Sequence, residues 1–507
     1  MRDLCVGILD LNTAWKVMLD QLGVWYEEVN FKKDLHRSYS VIIINAVAQD
    51  KNSPYLKRYL KQGGNLILSG QDNGYFPDIS FKRTFKKRVY NDLSSKGFQH
   101  IPYLDLYTRV KMASNEGFKG LIRFKRIMNG NIAYLGFDPA ERISATGYTR
   151  KPFNSTSGAL PDEIVSKVSK GFVYELFLQV LKEIHFRNEL PFIRKWTSPE
   201  EKPVFCFRID SDYSDKSHID KVYELLDTCN VKATWFLHVR AHEEWLTHFK
   251  TLNNQEIALH GYRHGTSRSE KKIRENISLG LDQLSESGFE VSGFCSPYGI
   301  YNEALKRSVH NFDFKYTSEF TYAYDSLPLC STDNTLQIPI HPICTGSLIR
   351  RAYTIDEMYK YFKMVMDQKL SRHLPVIFYH HPLQPGLKVF ESIFQNVKKE
   401  GLTNLTFEEF ANFWEERNKC TFKASYDGAN GHLNHVTNQS QLFEISFQHN
   451  SSQLLNGNNQ AFNFASEQSI QYHYPENDKV TYPKPGLINK LKLLKTSIFD
   501  YRNRERL

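Results

Sequence analysis

Apolar runs alternate with segments of helical spacing along the first 190 residues. Strands are predicted over 40–46 and 65–69, because each is a short unbroken apolar run of the kind that parallel sheets bury on both faces. The segment 54–61 between them has helical spacing, and 164–184 is predicted as one long amphipathic helix. This alternation predicts an α/β domain over residues 1–190, built on a parallel sheet with helices on its faces.

A second alternating unit is predicted over 203–418, after a Pro-containing linker at 191–202. Its apolar runs are typical of buried parallel strands. The predicted strands are 204–209, 231–237, 256–260, 291–295, 337–340 and 376–379. The remainder, 419–507, is predicted to be β-rich, because apolar and polar residues alternate over 442–447, 461–464 and 470–474.

The end of the chain carries a basic amphipathic pattern. One predicted helical face holds Leu487, Leu491, Leu494 and Ile498 among Lys and Arg residues. We expect this helix to pack on the protein itself, and peripheral contact with an anionic membrane is the alternative.

Composition narrows the class of protein. With 507 residues, 41% hydrophobic and 24% charged, the chain is typical of a soluble protein of two to four domains. A net charge of +9 without a basic domain argues against nucleic acid as a partner. The seven Cys have no CxxC spacing, and neither a secretory leader nor a membrane span is apparent. We therefore expect a cytoplasmic protein, of unknown oligomeric state.

Three predicted strands of the second unit end in carboxylates or imidazoles. Asp210 and Asp212 close the first of them and share a strand face, His260 and His264 follow another, and the pair His380-His381 follows the last. The carboxyl ends of parallel strands meet at one edge of a sheet, where α/β enzymes place their chemistry. These residue types at that edge predict a metal-assisted hydrolytic site.

Each candidate group has a definite chemical use. Asp212, His260 and His264 form a ligand set suited to Zn²⁺ with positions left open for water and substrate. Asp210 could accept a proton from that water, and one His of the pair could protonate a leaving amine. Taken singly, an H-x3-H or D-x-D pattern is more often a turn, a helix cap or unrelated histidine. Their order within one domain-sized span favours the catalytic interpretation.

The second unit resembles the polysaccharide deacetylase family, the NodB homology domain of carbohydrate esterase family 4. The segments FRIDSD, KATWFL, EIALHGYRH, GFCSPYG and VIFYHHP resemble family motifs, the first in the D-x-D variant. The resemblance implies a distorted (β/α) barrel with its site at the carboxyl ends of the strands. It also implies Asp210 as general base, Asp212, His260 and His264 as metal ligands, and His381 as general acid. A different alignment of the last motif would choose His380 instead.

The resemblance also suggests how substrate is held, and where the family pattern is broken. Tyr298 is expected either to line the pocket or to place its backbone N–H on the developing oxyanion. Arg263 is a candidate for binding an acidic group of the substrate, or an ordinary solvent-exposed Arg. The third family motif usually carries an Arg that holds the catalytic Asp, whereas this chain has Cys295 there. Either Arg208 or another cation takes that role, or the base is tuned in a different way. We also count Arg208 among the substrate-binding candidates.

The flanking segments receive no catalytic assignment. Residues 1–190 resemble flavodoxin-like or glutamine-amidotransferase-like accessory domains, but they lack a nucleophilic Cys at a strand-to-helix elbow. The turn Gly70-Gln71-Asp72 lacks the phosphate-loop and dinucleotide patterns and is predicted to be structural.

The sequence thus predicts a metal-dependent hydrolase, most simply with Zn²⁺, that removes an N-acetyl group from an N-acetylated sugar of a glycan or glycan precursor. Two alternatives stay open at this stage. One is an allantoinase-like hydrolase of another non-peptide C–N bond, and the other is a non-catalytic, glycan-binding pseudo-deacetylase or scaffold.

Overall fold

The chain folds into two compact units, each assembled from separate stretches of sequence. The computed structural model describes residues 1–45, 53–70, 74–76, 80–93, 97–155, 157, 159–331, 335–448, 451–458, 461–463 and 487–507. The first unit comprises Met1–Ala145, Val168–Glu201 and Glu415–His473, and the second comprises Thr146–Lys167, Lys202–Trp414 and Tyr474–Leu507. This grouping differs from the predicted boundaries, because 146–167 and the end of the chain join the second unit.

The strands are numbered in chain order. They are β1 (Arg2–Asp3), β2 (Val6–Ile8), β3 (Tyr26–Glu28), β4 (Val41–Ile44), β5 (Asn65–Ser69), β6 (Lys82–Tyr90), β7 (Tyr103–Met112), β8 (Ile122–Ile127), β9 (Gly130–Leu135), β10 (Tyr148–Pro152), β11 (Asp162–Ser166), β12 (Phe192–Lys195), β13 (Val204–Asp210), β14 (Thr234–Leu237), β15 (Glu256–Leu259), β16 (Gly293–Phe294), β17 (Tyr316–Thr317), β18 (Leu329–Cys330), β19 (Leu336–Gln337), β20 (Val376–His380), β21 (Thr403–Asn404), β22 (Lys423–Tyr426), β23 (Gly431–Asn434), β24 (Leu442–Phe447), β25 (Ser451–Asn456) and β26 (Ala461–Phe462).

The helices are numbered in the same way. They are α1 (Thr13–Leu22), α2 (Leu35–Ser38), α3 (Ser53–Lys61), α4 (Gly117–Leu121), α5 (Pro139–Ser144), α6 (Lys170–Phe186), α7 (Lys216–Cys229), α8 (Val239–His242), α9 (Glu270–Glu286), α10 (Glu303–Val309), α11 (Thr345–Ile349), α12 (Ile355–Leu370), α13 (Leu387–Glu400), α14 (Phe407–Lys419) and α15 (Leu487–Asn503). Within the described residues, none of them combines the length and apolarity that crossing a bilayer would need.

A six-stranded sheet forms the centre of the first unit. Its order is β3-β2-β4-β5-β9-β8, and all neighbours are parallel except the β8–β9 hairpin, whose turn contains Asn129. Strands β4 and β5 are buried along their whole length, so both apolar-run predictions are confirmed. The likeness to flavodoxin-like or amidotransferase-like domains stays a prediction, and Gln71 and Asp72 lie outside the described residues.

The predicted linker is wrong in part, because Phe192–Lys195 forms β12 and pairs with β24. The β-rich segment after residue 419 is confirmed for the strands β22 to β26, which belong to the first unit. The buried residues of this segment, which include Phe443 and Ile445, share one core with Leu4, Leu190 and Ile193 from earlier parts of the first unit. The predicted strand over 470–474 lies outside the described residues.

The predicted helix over 164–184 is also wrong at its start. Residues Asp162–Ser166 form β11, which pairs with β10 in an antiparallel hairpin, and α6 begins only at Lys170. The β-branched pair Ile164-Val165 favours a strand, and the hairpin supplies its pairing partner. This hairpin belongs to the second unit, whereas α6 belongs to the first.

A curled, mainly parallel sheet organises the second unit. Its order is β18-β19-β17-β16-β15-β14-β13-β20, with only the edge strand β18 antiparallel, and β21 pairs with the start of β13. Helices follow the strands, as parallel crossovers require. The predicted distorted (β/α) barrel of the NodB-homology type is confirmed in this open form. The carboxyl ends of β13, β15 and β20 therefore meet at one edge.

The predicted C-terminal helix is confirmed as α15, and it contacts the β10–β11 hairpin of its own unit. Arg150 Nε donates a hydrogen bond to Ser497 Oγ over 3.2 Å, and the same guanidinium forms an ion pair with Asp500. Leu491 and Leu494 of the predicted apolar face are nevertheless more than half exposed, at 59% and 57%. Contact with a membrane stays a prediction.

Candidate active site

Three strand ends of the second unit deliver carboxylates and imidazoles to one place. Asp210 is the last residue of β13. Asp212 lies two residues further on, and its backbone is in the left-handed region (φ 43°). His260 follows β15 directly, and His264 lies four residues further on in the same loop. The structure therefore brings together the carboxylates and imidazoles that the sequence placed at separate strand ends.

Asp212, His260 and His264 present their ligand atoms to a common point. Asp212 Oδ1 lies 3.2 Å from His264 Nε2 and 3.6 Å from His260 Nε2. All three ligand atoms are within 4.8 Å of one another, as an ion between them would require. Asp212 Oδ1 is buried and has no hydrogen-bond partner among the described residues. Because an unpartnered buried carboxylate oxygen is costly, this geometry fits a bound cation.

Neighbouring groups fix the orientation of the candidate ligands. His260 Nδ1 lies 2.9 Å from the carbonyl oxygen of Cys295, an arrangement that leaves Nε2 free as a ligand atom. Burial lowers the pKa of His260 to about 4, so the ring is neutral at pH 7. His238, which was not among the predicted site residues, has Nδ1 3.0 Å from the Asp212 carbonyl oxygen, and its Nε2 accepts a hydrogen bond from the His264 amide over 3.1 Å. His238 thereby connects the two ligand loops.

Arg208 holds Asp210 through a bidentate ion pair. The Arg208 Nε–Asp210 Oδ1 distance is 2.6 Å and the Nη2–Oδ2 distance is 2.7 Å, while Nη1 donates to the Ser318 carbonyl oxygen over 2.7 Å. Arg208 is fully buried (0% exposed). The expectation that Arg208 binds substrate is therefore wrong, because no atom of it reaches solvent. Its guanidinium instead provides the positive charge that holds Asp210, in place of the Arg that the third family motif lacks at Cys295.

Charge compensation keeps both carboxylates ionised. Burial alone would raise the pKa of Asp210, but the Arg208 guanidinium outweighs burial and holds that pKa below its ordinary value. The pKa of Asp212 is lowered further, because the nearby imidazoles, His381 first, outweigh its burial.

The two histidines of the VIFYHHP segment occupy different environments. His381 Nε2 lies 3.6 Å from Asp212 Oδ2 and 3.9 Å from Asp210 Oδ2. Although burial lowers its pKa, Asp212 and a hydrogen bond with Cys344 raise it to about 10. His380 is fully buried against Phe390, with ring centroids 5.0 Å apart, and burial lowers its pKa to about 3. The structure thus places His381, and not His380, at the carboxylates.

A cavity of about 330 Å³ opens over these groups. It is lined by both carboxylates, His260, His264 and His381, and by Tyr298, whose ring centroid lies 4.7 Å from that of His264. Arg263 is exposed and does not line the cavity, so the structure does not support the prediction that it contacts substrate.

Several lining residues come from segments to which sequence analysis gave no role in the site. Glu163 lies on β11, Cys344 and Arg350 flank α11, and Asp500 and Arg504 belong to the last stretch of the chain. None of them stands in a recognisable motif, and the hairpin and α15 are far in sequence from the catalytic strands. Only the three-dimensional fold brings them to the site.

Comparison with known proteins gives one positive assignment. Residues 198–317 match the family model described as polysaccharide deacetylase, which covers the strands that carry Asp210, Asp212, His260 and His264. No curated protein matches the chain.

Solved structures with partial similarity include a Mycobacterium smegmatis protein assigned to the polysaccharide deacetylases (TM-score 0.38, 17% identity, 44% of this chain and 94% of that one). A second is a wild-type CE4-family pseudoenzyme from Bacillus anthracis (TM-score 0.32, 18% identity, 42% of this chain and 69% of that one). A third is Puue allantoinase (TM-score 0.36, 16% identity, 44% of this chain and 92% of that one). At such identities and scores these structures carry no functional argument. The family model alone therefore identifies residues 198–317 of this chain as belonging to the polysaccharide deacetylase family.

Proposed function

We propose that the second unit is a metal-dependent hydrolase that removes the N-acetyl group from an N-acetylated sugar. The observation that carries this proposal is the convergence of Asp212, His260 and His264 around an unpartnered carboxylate oxygen, beside Asp210 and His381. The family assignment supports hydrolysis of a C–N bond, since deacetylation of an amino sugar breaks an amide.

The donor set fits a divalent transition metal such as Zn²⁺. A carboxylate and two imidazoles are ligand types that zinc prefers, and three protein ligands leave positions for water and substrate. When bound, such an ion supplies Lewis-acid polarisation and lowers the pKa of water. The remaining chemistry belongs to the side chains around it.

Asp210 and His381 divide the two proton transfers. Asp210 is ionised because Arg208 lowers its pKa, so its carboxylate can accept a proton from the attacking water. His381 carries a proton at pH 7, because its pKa is raised to about 10, and it can donate that proton to the departing amine. Tyr298 forms one wall of the cavity and restricts where the acyl group can lie.

The first test is acetate release from N-acetylhexosamine substrates by the intact protein and by Asp210→Asn. We expect the substitution to lower kcat by about 10²- to 10⁴-fold, the usual contribution of a general base. Asp313→Asn, a change of the same type at an exposed carboxylate, is the matched control and should leave kcat unchanged. Undiminished release by Asp210→Asn would contradict the proposed mechanism.

The second test concerns the metal itself. We expect the purified protein to bind about one equivalent of zinc by elemental analysis, and His264→Ala to lose most of that affinity. His310→Ala, which removes an exposed imidazole of the same unit, is the control. If His264→Ala keeps zinc as tightly as the intact chain does, the proposed ligand set is wrong.

A non-catalytic role is the second candidate, and Cys295 is the observation that favours it. This buried thiol stands where the family usually has an Arg, with Sγ 4.0 Å from Asp210 Oδ1 and 2.8 Å from His260 Nδ1. A protein that binds N-acetylated oligosaccharides, yet releases no acetate with any of several divalent metals, would favour this candidate over the hydrolase.

A further inference from the structure

The end of the chain is fastened to the loops that carry the active site. The Glu505 amide donates to Tyr298 Oη over 3.2 Å, and Tyr213 Oη donates to the Glu505 carboxylate. On the other side, Thr266 and the tail exchange two backbone hydrogen bonds, Thr266 N to Glu505 O at 3.2 Å and Leu507 N to Thr266 O at 3.1 Å. Thr266 lies two residues after the candidate ligand His264, so the tail is held close to the candidate metal ligands.

These anchors place Arg504 at the wall of the cavity. Arg504 lines the cavity together with Asp500 and Asn503 of α15. Its guanidinium carbon lies 5.1 Å from the centre of the Tyr298 ring, which also lines the cavity. Because the next residue is bonded on both sides, the backbone at Arg504 is fixed and its side chain is directed by the fold.

The ion pairs of the other charged residues in this wall leave Arg504 without a partner. Glu163 pairs with Arg350 over 3.1 Å, and Asp500 pairs with Arg150 and, at 3.8 Å, with Arg350. Within the described part of the chain, Arg504 forms no ion pair, and its buried Nε has no hydrogen-bond partner. Burial lowers the pKa of the Arg504 guanidinium and outweighs the opposing effects of Tyr148, Tyr298, Asp500 and Glu163.

An unpaired guanidinium in a partly closed cavity is a site for an anion. Guanidinium groups bind phosphate and carboxylate through paired, charge-assisted hydrogen bonds, which gain strength away from bulk water. We propose that Arg504 is a substrate-binding residue that recognises an anionic substituent, phosphate or carboxylate, on the amino sugar. The proposal rests on the proposed function for the identity of the sugar and adds the class of substrate. The cavity volume of about 330 Å³ is at the small end of ligand sites, which fits one such sugar.

Equilibrium binding tests the anion site without requiring turnover. The probes are glucosamine, glucosamine 1-phosphate and muramic acid, which share a free amine and differ in carrying no anion, a phosphate or a carboxylate. With the intact protein we expect one of the two anionic sugars to bind about tenfold or more tightly than glucosamine, a typical gain for a charge-assisted contact. Whichever of the two is preferred identifies the anion.

Substitution assigns the preference to Arg504. Arg504→Gln should reduce the preference to about twofold or less, and Arg504→Lys should retain part of it, because lysine keeps the charge and loses the planar fork. Arg502→Gln, at an exposed arginine two residues earlier in the chain, is the matched control and should bind like the intact protein. Thermal unfolding of each variant confirms that the fold is kept.

The outcomes separate this inference from the proposed function. Equal affinity of the intact protein for all three sugars, or a preference that survives in Arg504→Gln, would overturn the anion site even if acetate is released. An anion preference lost in Arg504→Gln, with no acetate release from the N-acetylated forms, would support the anion site and overturn the hydrolase.

Discussion

At the scale of single residues, the behaviour of Asp210 depends on one neighbour. A buried carboxylate without a counter-charge takes up protons readily, and Arg208 prevents this through two short contacts. The family usually supplies this cation from the third motif, whereas here it comes from the same strand, two residues before the Asp. The sequence analysis named Arg208 as one candidate for this role, and the pairing is possible because Arg208 and Asp210 share a strand face.

Arg208→Lys should therefore move the acidic limb of the pH–activity profile. Lysine keeps a charge but loses the bidentate contact, so the pKa of Asp210 should rise towards or above its ordinary value of about 3.9. The base is then protonated at a higher pH, and kcat/KM should begin to fall at a higher pH than in the intact protein. Arg240→Lys, at an exposed position, is the control. An unchanged acidic limb would show that Arg208 does not set the pKa of Asp210.

The adjacent residues His380 and His381 give a second, internally matched prediction. His381→Ala should lower kcat by about 10²- to 10⁴-fold, because the cavity then has no acid for the leaving amine. His380→Ala should instead lower the melting temperature, because it leaves a hole beside Phe390 without touching the cavity. Steady-state kinetics and thermal unfolding of both variants test this. Equal losses of kcat would contradict the assignment of His381 as the acid.

The site residues that could be predicted from the sequence stand at the ends of buried strands, but that position alone did not reveal every residue of the site. Asp210, Asp212, His260 and His264 follow apolar runs, so the edge of a parallel sheet could be inferred and with it their proximity. His238 also follows β14, but its role lies in backbone contacts with Asp212 and His264, which a residue pattern does not encode. The position of Arg504 depends on where the end of the chain packs, and no local pattern specifies a contact with Tyr298, more than 200 residues earlier in the chain.

At the scale of elements, the errors occurred where two structures share one pattern. The apolar residues of β11 are followed by those of α6 at a spacing that a single helix would also have. The helix predicted over 164–184 therefore included residues that form a strand. Strand β12 lies between prolines and charged residues, which are typical of linkers. In both cases the strand is stabilised by pairing with another strand. The partner of β12 is β24, which is remote in sequence, and the partner of β11 is β10, which is joined to it by a turn that was not predicted.

The β12–β24 pair buries charged side chains inside the first unit, and this burial leads to a testable prediction. Glu444 on β24 is fully buried and forms ion pairs with Lys182 on α6 at 2.6 Å and Arg194 on β12 at 2.5 Å. Glu444→Gln should lower the free energy of unfolding by about 3–5 kcal/mol, since it leaves two buried cations without their counter-charge. Denaturant unfolding measures the loss, and Glu416→Gln at an exposed position should change it by less than about 0.5 kcal/mol. A loss as small as that of the control would contradict the structural role.

At the scale of the whole molecule, each of the two units is assembled from three separate stretches of the chain. The chain passes from the first unit to the second at residue 146, returns at 168, and repeats this exchange at 202 and 415, while the described residues 487–507 belong to the second unit again. A domain predicted as one continuous stretch, 203–418, therefore omits two pieces of the second unit. Both pieces carry residues that line the cavity, Glu163 in one and Asp500 and Arg504 in the other.

The isolated fragment 203–418 should consequently be a poor substitute for the intact chain. It contains Asp212, His260 and His264, but it loses the ion pairs of Asp162 with Arg351 and of Glu163 with Arg350. It also loses the end of the chain, where Arg506 pairs with Thr266 in an isolated parallel bridge. We expect the fragment to melt at least about 5 °C below the transition of the second unit in the intact protein, as a loss of one to two kcal/mol or more implies. Calorimetry of both proteins with saturating zinc makes this comparison. A fragment that melts at the same temperature would mean that the hairpin and α15 contribute no stability, and that the wall they form around the cavity is not part of the folded core of this unit.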